Sequence, residues 1–339
     1  MNASDIHLTV GAPTVVRVNG ELRKYTELSD QVVNRTILSI LSAEQEKMLT
    51  EGKDIDFSFE LKNGARQRVN VFRQSGKLAA CIRLLNAEIP TLEELKMPPV
   101  LLEFAKKRRG LVLVTGPTGA GKSTTLAALM EYINKTRACH VITIEDPIEY
   151  RYKQEKATIH QRELGRDVPS FHEALRSALR EDPDVILIGE MRDYETISLA
   201  MTAAETGHLV FGTLHTSSAA QTVDRIIDAC PIHSQDQVRS QLASMIQGII
   251  AQTLIPRADG KGRVAAVEVM IGTDAIRNLI RSAKINMMET TMAAGARDGM
   301  CTLNASLANL YKTGQISYET ALEYATDRGE MEKKLLSGI

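Results

Sequence analysis

Cysteine and tryptophan are scarce in this 339-residue sequence. Tryptophan is absent, and the four cysteines stand far apart, at positions 81, 139, 230 and 301, with no C-x-x-C pair among them. Scattered cysteines supply neither the paired ligands of a structural zinc site nor a disulfide framework. The pattern therefore argues against both, and it is typical of a protein kept in a reducing cytosol.

Long apolar runs and an excess of either charge are also missing. No run approaches the ~18 apolar residues needed to span a bilayer, and the start of the chain, MNASDIHLTV, lacks the regions of a signal peptide. The net charge of −1 argues against a general polyanion binder, and we read the one short basic run, residues 106–109, as a solvated linker. We expect a soluble intracellular protein with no nucleic acid partner and no transmembrane segment of its own, which could still dock on a membrane complex.

Length and composition indicate two domains. Apolar residues make up 43% of the chain, enough for ordinary cores, and 339 residues exceed the usual size of one domain. The first hundred residues combine β-rich stretches (14–18, 55–60, 67–72 and 77–85) with one expected helix over residues 30–51. Prolines at 90, 98 and 99 then suit a hinge. We expect domains over residues 1–95 and 110–339, joined by a linker over 96–109.

Four nearly continuous apolar runs, separated by helical patterns, dominate the chain after residue 110. They cover residues 111–115, 140–144, 184–188 and 209–214. Such runs are typical of buried parallel strands with crossover helices, so the fold class is α/β with a mostly parallel sheet. Each run stops at residues suited to phosphate chemistry, and ligands of open parallel sheets bind at the carboxyl ends of the strands. The sequence therefore predicts a nucleotide site there.

The first of these strand ends is a phosphate-binding loop. Residues 116–123, GPTGAGKS, fit the pattern G-x-x-x-x-G-K-[ST] in full, and a helical pattern follows whose amino terminus adds its dipole. Lys122 is expected to reach the β- and γ-phosphates of ATP, and Ser123 to bind Mg²⁺. The predicted nucleotide-binding residues are Gly116, Pro117, Thr118, Gly119, Ala120, Gly121, Lys122, Ser123 and Thr124.

Two acidic strand ends are candidates for catalysis. Glu190 ends the run DVILIGE, in which Gly189 stands where many P-loop enzymes carry an Mg²⁺-binding aspartate. Glu190 is therefore the candidate base or water-positioning group, the alternative being an acid that merely ends a strand. Carboxylates beside a polyphosphate repel it unless metal or water intervenes, so Glu145, in EDPIE, is expected to position Mg²⁺, in part through water. The alternative for Glu145 is a solvated turn.

Two histidines, His208 and His215, flank the fourth run. Without a third ligand they make a poor metal site. His215 is expected to sense the γ-phosphate from the strand end. For His208, a satisfied core histidine is an equal alternative.

Arginines are candidates for stabilising the charge that develops on phosphate. The capping box SFHE, residues 170–173, begins a helix that places Arg176 and Arg180 on one face. This pair could bind phosphate or a neighbouring subunit, or it could belong to a surface helix with salt bridges. In the first domain a second basic set lies on predicted strands: Arg66, Arg68, Arg73 and Arg83.

Together these motifs resemble those of the secretion-superfamily ATPases. GPTGAGKST, TIEDPIEY, ALREDPDVILIGEMRD and AAETGHLVFGTLHT are similar to its Walker A, Asp-box, Walker B and His-box motifs, and the likeness runs through nearly the whole chain from ASDIHL onward. The resemblance implies a PAS-like amino-terminal domain, a flexible linker and a RecA-like ATPase domain. It also implies a homohexameric ring, with ATP and Mg²⁺ held between the two domains and near the next subunit.

The resemblance also implies roles for individual residues. Glu190 is the catalytic glutamate in this pattern, Glu145 is the acid that handles Mg²⁺ and water, and glycine is usual at position 189. The remaining residues contact or approach the nucleotide: His208 and His215 of the His box, Arg68 and Arg83 of the first domain, and the charged pair Arg176 and Arg180.

One segment outside these motifs points to a branch of the superfamily. Residues 275–281, AIRNLIR, are similar to a segment that type IV pilus retraction ATPases need, and physically they form an amphipathic helix entered through Thr273 and Asp274. Simple packing is the alternative for this helix. Extension motors usually carry two C-x-x-C pairs, which this chain lacks. The resemblance therefore implies a cytoplasmic retraction motor, associated peripherally with the inner membrane at the pilus base through the platform protein.

Three rival functions remain open on sequence grounds. The first is another motor of the superfamily, driving extension, secretion or conjugation. Ser282 and the short segment before ASDIHL depart from the retraction pattern, which bears on the branch of retraction motors and on how the ring docks. The second is a nucleotide-binding regulator without turnover, against which Lys122, Ser123 and Glu190 argue. The third is a small-molecule P-loop kinase, for which no lid or acceptor signature is visible.

Overall fold

The computed structural model describes residues 3–18, 20–61, 65–84 and 88–336. The chain divides into two compact units, residues 1–89 with 147–151 and residues 90–146 with 152–339. Residues 96–109, expected to be a linker, include the helix Leu101–Ala105, whose Leu101 and Phe104 are fully buried in a core of the second unit. The three-part division drawn from the sequence stays a prediction about domains.

An antiparallel six-stranded sheet forms the first unit, with two short helices. The strands are β1 (Ala3–Thr9), β2 (Thr14–Val18), β3 (Glu21–Thr26), β4 (Ile55–Glu60), β5 (Arg66–Gln74) and β6 (Lys77–Leu84), arranged in the order β3-β2-β1-β6-β5-β4. The helices are α1 (Asp30–Ser39) and α2 (Ala43–Thr50). The core of this unit includes Val33 and Ile37 of α1 and Val69 and Val71 of β5, which alternate with polar neighbours as one buried face of a sheet requires. The last residue of the predicted stretch 77–85 lies outside the described residues.

The single helix expected over residues 30–51 is wrong, because the chain forms two helices there. Ser42 is the N-cap of α2 and forms a capping box with Gln45. The Ser42 hydroxyl accepts from the Gln45 N–H at 3.2 Å, and the Gln45 side chain accepts from the Ser42 N–H at 2.8 Å. A capping box satisfies the first free N–H groups of a new helix, so it stabilises a start rather than a continuation.

The second unit contains a seven-stranded, mostly parallel sheet. Its strands are β7 (Gly110–Thr115), β8 (His140–Glu145), β9 (Thr158–Glu163), β10 (Val185–Ile188), β11 (Leu209–Leu214), β12 (Ile246–Pro256) and β13 (Arg263–Ile271), in the order β13-β12-β7-β11-β10-β8-β9. Only the β12–β13 pair is antiparallel in this sheet. The four predicted apolar runs are therefore confirmed as adjacent parallel strands.

Helices cover both faces of this sheet. They are α3 (Leu101–Ala105), α4 (Lys122–Thr136), α5 (Phe171–Ala178), α6 (Tyr194–Glu205), α7 (Ala219–Asp228), α8 (Gln235–Met245), α9 (Asp274–Arg281), α10 (Met288–Ala294), α11 (Leu303–Lys312), α12 (Tyr318–Glu323) and α13 (Arg328–Leu336). Strand residues alternate between two cores: Leu111 and Leu113 face one, Val112 and Val114 the other. Burial on both faces is why these runs are apolar at every position.

The predicted amphipathic helix over residues 275–281 is confirmed as α9. The Thr273 hydroxyl caps it by accepting from the Ile276 N–H, and Ile276, Leu279 and Ile280 are buried while most other positions face solvent. Within the residues that the structure describes, no helix has the length and apolarity to cross a membrane.

Candidate active site

The carboxyl ends of four neighbouring parallel strands meet at one edge of the sheet. The strands lie in the order β7, β11, β10, β8, with Thr115 of β7 opposite Leu214 of β11 and Ile188 of β10 opposite Ile144 of β8. The predicted loop after β7, His215 after β11, Glu190 after β10 and Glu145 of β8 are thereby brought to the same edge.

The loop over residues 116–123 curls tightly and runs directly into α4. Gly116, Gly119 and Gly121 have φ angles of +143°, +79° and +87°, values that side chains disfavour. At Gly116 space is lacking as well, since a Cβ there would lie 2.1 Å from the Gln252 carbonyl oxygen. Residues 117–119 are exposed, so the outer side of the loop is open to a ligand. Because α4 begins at Lys122, its free N–H groups and dipole suit an anion at this position.

Lys122 lies across the loop that carries it. Its ammonium donates to the Gly116 carbonyl at 2.7 Å and to the Pro117 carbonyl at 3.1 Å. These two contacts hold the cation next to the open side of the loop. Phosphate oxygens bind an ammonium more strongly than neutral carbonyls do, so a bound nucleotide can recruit it.

Oxygen ligands suitable for Mg²⁺ are present, but few are protein carboxylates. Ser123 is exposed on the first turn of α4, and Glu145 ends β8. Across the described ranges, no three His, Cys, Asp or Glu side chains gather into a metal cluster. Mg²⁺ usually keeps several waters and takes one or two protein oxygens beside substrate phosphates. The residues therefore fit a cation held mainly by nucleotide and water.

Glu190 is held by two cationic or ionisable neighbours. Its carboxylate accepts from Arg192 Nη2 at 2.7 Å and faces His215 Nε2 at 2.9 Å, and its side chain is only 19% exposed. The Arg192 hydrogen bond, with smaller contributions from the charges of Arg192 and His215, holds the pKa of Glu190 below its ordinary value despite burial. The carboxylate is therefore ionised at neutral pH and able to accept a proton.

The glycine at position 189 follows from the packing of β10 against β8. The Gly189 N–H donates to the Ile144 carbonyl at 2.7 Å, and a Cβ at this position would lie 3.1 Å from that oxygen and 3.2 Å from the Glu145 Cα. The Thr213 hydroxyl also bonds the Gly189 carbonyl. Any side chain would crowd the end of β8, so an aspartate at this position is disfavoured here.

Two uncharged side chains orient Glu145. Its carboxylate accepts from the Thr143 hydroxyl at 2.6 Å and from Gln161 Nε2 at 3.3 Å. Gln161 belongs to β9, which pairs in parallel with β8. A carboxylate oriented in this way suits the binding of water or a hydrated cation.

His208 lies at the opposite edge of the sheet from His215. It precedes β11, whereas His215 follows it, and six strand residues at ~3.3 Å each separate the two. The His208 ring contacts the Ala203 carbonyl through Nδ1 at 2.9 Å. The structure therefore brings His215, and not His208, to the phosphate loop of the same chain.

Arg176 and Arg180 are likewise distant from this loop within one chain. α5 ends at Ala178, and Arg180 stands two residues before Asp182, whose carbonyl contacts His140 at the amino end of β8. Both arginines are exposed, and Arg180 donates to the Arg176 carbonyl at 3.1 Å. The capping box is confirmed in part, since the Ser170 hydroxyl accepts from the Glu173 N–H.

Arg68 and Arg83 lie in the first unit, directly opposite each other on β5 and β6. Arg68 pairs with Asp56 at 2.9 Å, and Arg83 with the buried Asp5 at 3.0 Å. Like charges opposite each other on neighbouring strands repel, and the two aspartates offset that repulsion. Their predicted contact with nucleotide stays a prediction.

Comparison with known proteins decides the family. Residues 1–328 match the family described as "Type II/IV secretion system protein". The chain belongs to this family. It is 51% identical over 325 residues, covering 95% of this chain and 94% of the relative, to "Type IV pilus retractation ATPase PilT" of Pseudomonas aeruginosa. It is 48% identical to "Twitching motility protein" of Neisseria gonorrhoeae, covering 94% and 85% of the two chains.

A solved structure extends the likeness to three dimensions. The entire described fold is similar to the "Crystal Structure of the Pilus Retraction Motor PilT and Bound ADP", with a TM-score of 0.90 and 48% identity, covering 98% of this chain and 96% of that one. The expected α/β fold, an amino-terminal domain followed by a RecA-like ATPase domain of the Type II/IV secretion family, is thereby confirmed.

Two residues of this secretion-family site were missed from sequence. Arg192 stands two positions after Glu190, and its exposed guanidinium reads as an ordinary surface charge until its contact with Glu190 is seen. Gln252 interrupts the apolar run of β12, and that interruption is the only sequence signal for a buried polar contact.

Proposed function

We propose that this chain is an ATP-hydrolysing motor subunit that drives retraction of type IV pili. The observation that carries the proposal is the 51% identity, over 95% of the chain, to a relative named as a pilus retraction ATPase. The strand-end site alone supports ATP hydrolysis by any member of the superfamily. Full-length likeness is what selects retraction among them.

In the proposed reaction the residues at the strand ends have separate roles. The loop of residues 116–123 and Lys122 bind the phosphates, and Glu190, ionised at neutral pH, orients the attacking water and accepts its proton. His215 holds the Glu190 carboxylate from the end of β11. Mg²⁺, when bound, neutralises charge on the phosphates, and Ser123 and Glu145 are the residues that would hold it, directly or through water.

The assembly and location belong to the same proposal. A homohexameric ring would act on an inner-membrane platform protein of the pilus, and the subunit would be cytoplasmic and peripherally attached to that membrane. Support comes from the likeness to a solved structure titled as a pilus retraction motor.

Phosphate release by the purified protein, sized by light scattering, tests the enzymatic part. Glu190→Gln should lower kcat by at least ~10² while leaving nucleotide binding within a few-fold, as expected for loss of a general base. Lys122→Ala should weaken nucleotide binding itself. A wild-type protein that binds ATP and never releases phosphate would identify a regulator instead.

Twitching of a retraction-deficient cell tests whether the motor retracts pili. Restoration by the wild-type gene, and not by the Glu190→Gln gene, is expected. A protein that hydrolyses ATP but leaves such cells immobile would point to an extension, secretion or conjugation motor.

A further inference from the structure

We infer that Gln252 is a positioning residue for nucleotide binding. It contacts the buried side of the phosphate loop and fixes the orientation of the loop's backbone. The inference rests on the proposed function only in that the loop binds phosphates. Gln252 lies on β12, the strand beside β7, and is 3% exposed. Its side chain is therefore buried beneath the loop and has no route to a ligand of its own.

Both ends of the Gln252 amide bind the segment that carries the loop. Nε2 donates to the Ala120 carbonyl at 2.6 Å, and Oε1 accepts from the Thr125 hydroxyl at 2.8 Å. Ala120 is 2% exposed and Thr125 is fully buried, so water does not compete for either contact. A single side chain thus links the last turn of the loop to the first turn of α4.

The contact with Ala120 has a consequence for the next residue. A trans peptide unit is planar, and its C=O and N–H point in opposite directions. Because the Ala120 carbonyl is held toward Gln252, the N–H of Gly121 is held away from it. Backbone N–H groups of such a loop are the donors that cradle phosphates. Gln252 therefore orients a phosphate donor that it never touches.

Gln252 also restricts the glycines at both ends of the loop, Gly116 through its backbone and Gly121 through its side chain. A Cβ on Gly116 would lie 2.1 Å from the Gln252 carbonyl oxygen, and one on Gly121 would lie 2.8 Å from Nε2. The first glycine of the loop and the glycine before Lys122 are therefore both packed on this one residue. The lack of a side chain at Gly116 and Gly121 therefore leaves the space that Gln252 occupies.

Titration with a fluorescent ADP derivative tests this role. Gln252→Leu keeps the size of the side chain but leaves the Ala120 carbonyl without its buried donor, so ADP affinity should fall about tenfold. The KM for ATP should rise by a similar factor, while kcat at saturation changes less than about threefold, because chemistry at Glu190 is untouched.

Asn304→Leu is the matched control. Asn304 is another fully buried amide of the second unit, and its partners are Thr326, Asp327 and Glu330, away from the loop. This variant should lose thermal stability and keep its ADP affinity within about twofold. Equal losses of ADP affinity in Gln252→Leu and Asn304→Leu would reduce Gln252 to a general structural role and overturn the inference.

Thr125→Val supplies a second, milder variant if Gln252→Leu does not fold. It removes only the hydroxyl that orients the amide, and a smaller loss of affinity, about threefold, is expected. In a folded double variant the two losses should not add, since Thr125 acts through Gln252. Wild-type affinity in Thr125→Val and Gln252→Leu alike, with wild-type protein binding ADP, overturns the inference. A wild-type protein that binds no ADP would instead refute the proposed function.

Discussion

At the scale of single residues, the groups around the Glu190 carboxylate determine the pH range over which it is ionised. Arg192 lowers the pKa of Glu190 mainly through a hydrogen bond, although Arg192 itself is largely exposed. A base with a lowered pKa is weaker, yet it stays ionised over a wider pH range. Under the proposed function, we therefore expect the orientation of water to contribute more to the role of Glu190 than its basicity does.

Arg192→Ala tests this balance through the pH dependence of kcat. With the main cause of the lowered pKa removed, the pKa of Glu190 should rise toward its ordinary value, and the acid limb of kcat should move to higher pH. Near pH 5 the variant should then lose a larger fraction of its plateau activity than the wild type loses. The pH profile of phosphate release measures this. Arg297→Ala, which removes an exposed arginine of the 3₁₀ helix Gly295–Asp298, is the control. An acid limb at the wild-type position would contradict the assignment of the pKa shift to Arg192.

At the scale of elements, the phosphate loop offers two glycines that differ sharply in the space around them. Both have positive φ, but a Cβ on Gly116 meets backbone at 2.1 Å, whereas one on Gly119 meets nothing within 4 Å. Gly119→Ala should cost about 1–2 kcal/mol in free energy of unfolding, the ordinary penalty of that φ. Gly116→Ala should cost more and weaken ADP binding, because β12 must also move. Urea unfolding and ADP titration measure both, and equal costs would contradict the packing argument.

Glu268 of β13 joins two helices to the sheet. It accepts from the N–H of Ala219 at the start of α7, at 2.7 Å, and from the N–H of Leu303 at the start of α11. Burial is the largest influence and raises the pKa of Glu268, because it penalises the ionised form more than the two hydrogen bonds favour it. A single buried acid therefore holds the helix that follows His215 to the carboxyl-terminal helices.

The raised pKa of Glu268 predicts a pH-dependent stability. A folded state that holds its proton more tightly than the unfolded chain loses stability as pH rises from the ordinary pKa through the folded one. Glu268→Gln lacks this loss, so its free energy of unfolding relative to wild type should increase with pH above about 4.5 and then level off. Urea unfolding at several pH values measures the difference. Glu319→Gln should show the opposite slope, since hydrogen bonds lower the pKa of that exposed acid. A flat Glu268→Gln difference would contradict the argument.

Burial separates the strands that the sequence predicts from those that it does not. The strands β7, β8, β10 and β11 were predicted because burial on both faces makes them continuously apolar, a local signal. The edge strand β3 is exposed at every position, and β9 carries polar residues, so neither shows a periodic pattern. The site followed the same division, since Lys122 and Glu190 sit in local motifs.

Contacts between distant parts of the chain were not predictable in this way. The phosphate loop and Gln252 are more than a hundred residues apart, and only the pairing of β12 with β7 brings them together. Likewise His208 and His215 read as one motif, and the strand between them separates them to opposite edges.

At the scale of the whole molecule, two arginines of the first unit are candidates for a part in ATP hydrolysis. β5 and β6 present Arg68 and Arg83 side by side, each paired with an aspartate rather than buried in apolar surroundings. Both guanidiniums are about half exposed, and in the Arg68–Asp56 pair the aspartate is half exposed too, so another anion can exchange for Asp56 at low cost. Under the proposed function, we expect both arginines to bind charge that develops on phosphate during hydrolysis.

Arg68→Ala and Arg83→Ala therefore should lower kcat much more than they weaken ADP binding. Arginines that stabilise the transition state of phosphoryl transfer contribute about 10³–10⁵ in rate, and a drop of at least ~10² is expected here for one or both. Arg23→Ala, on the exposed edge strand β3, is the control and should keep wild-type turnover, since its ion pair with Glu21 is local. Steady-state phosphate release and ADP titration on the same preparations separate rate from affinity. If affinity and kcat fell equally in Arg68→Ala and Arg83→Ala, these arginines would bind the ground state, and the first unit would serve nucleotide capture rather than catalysis.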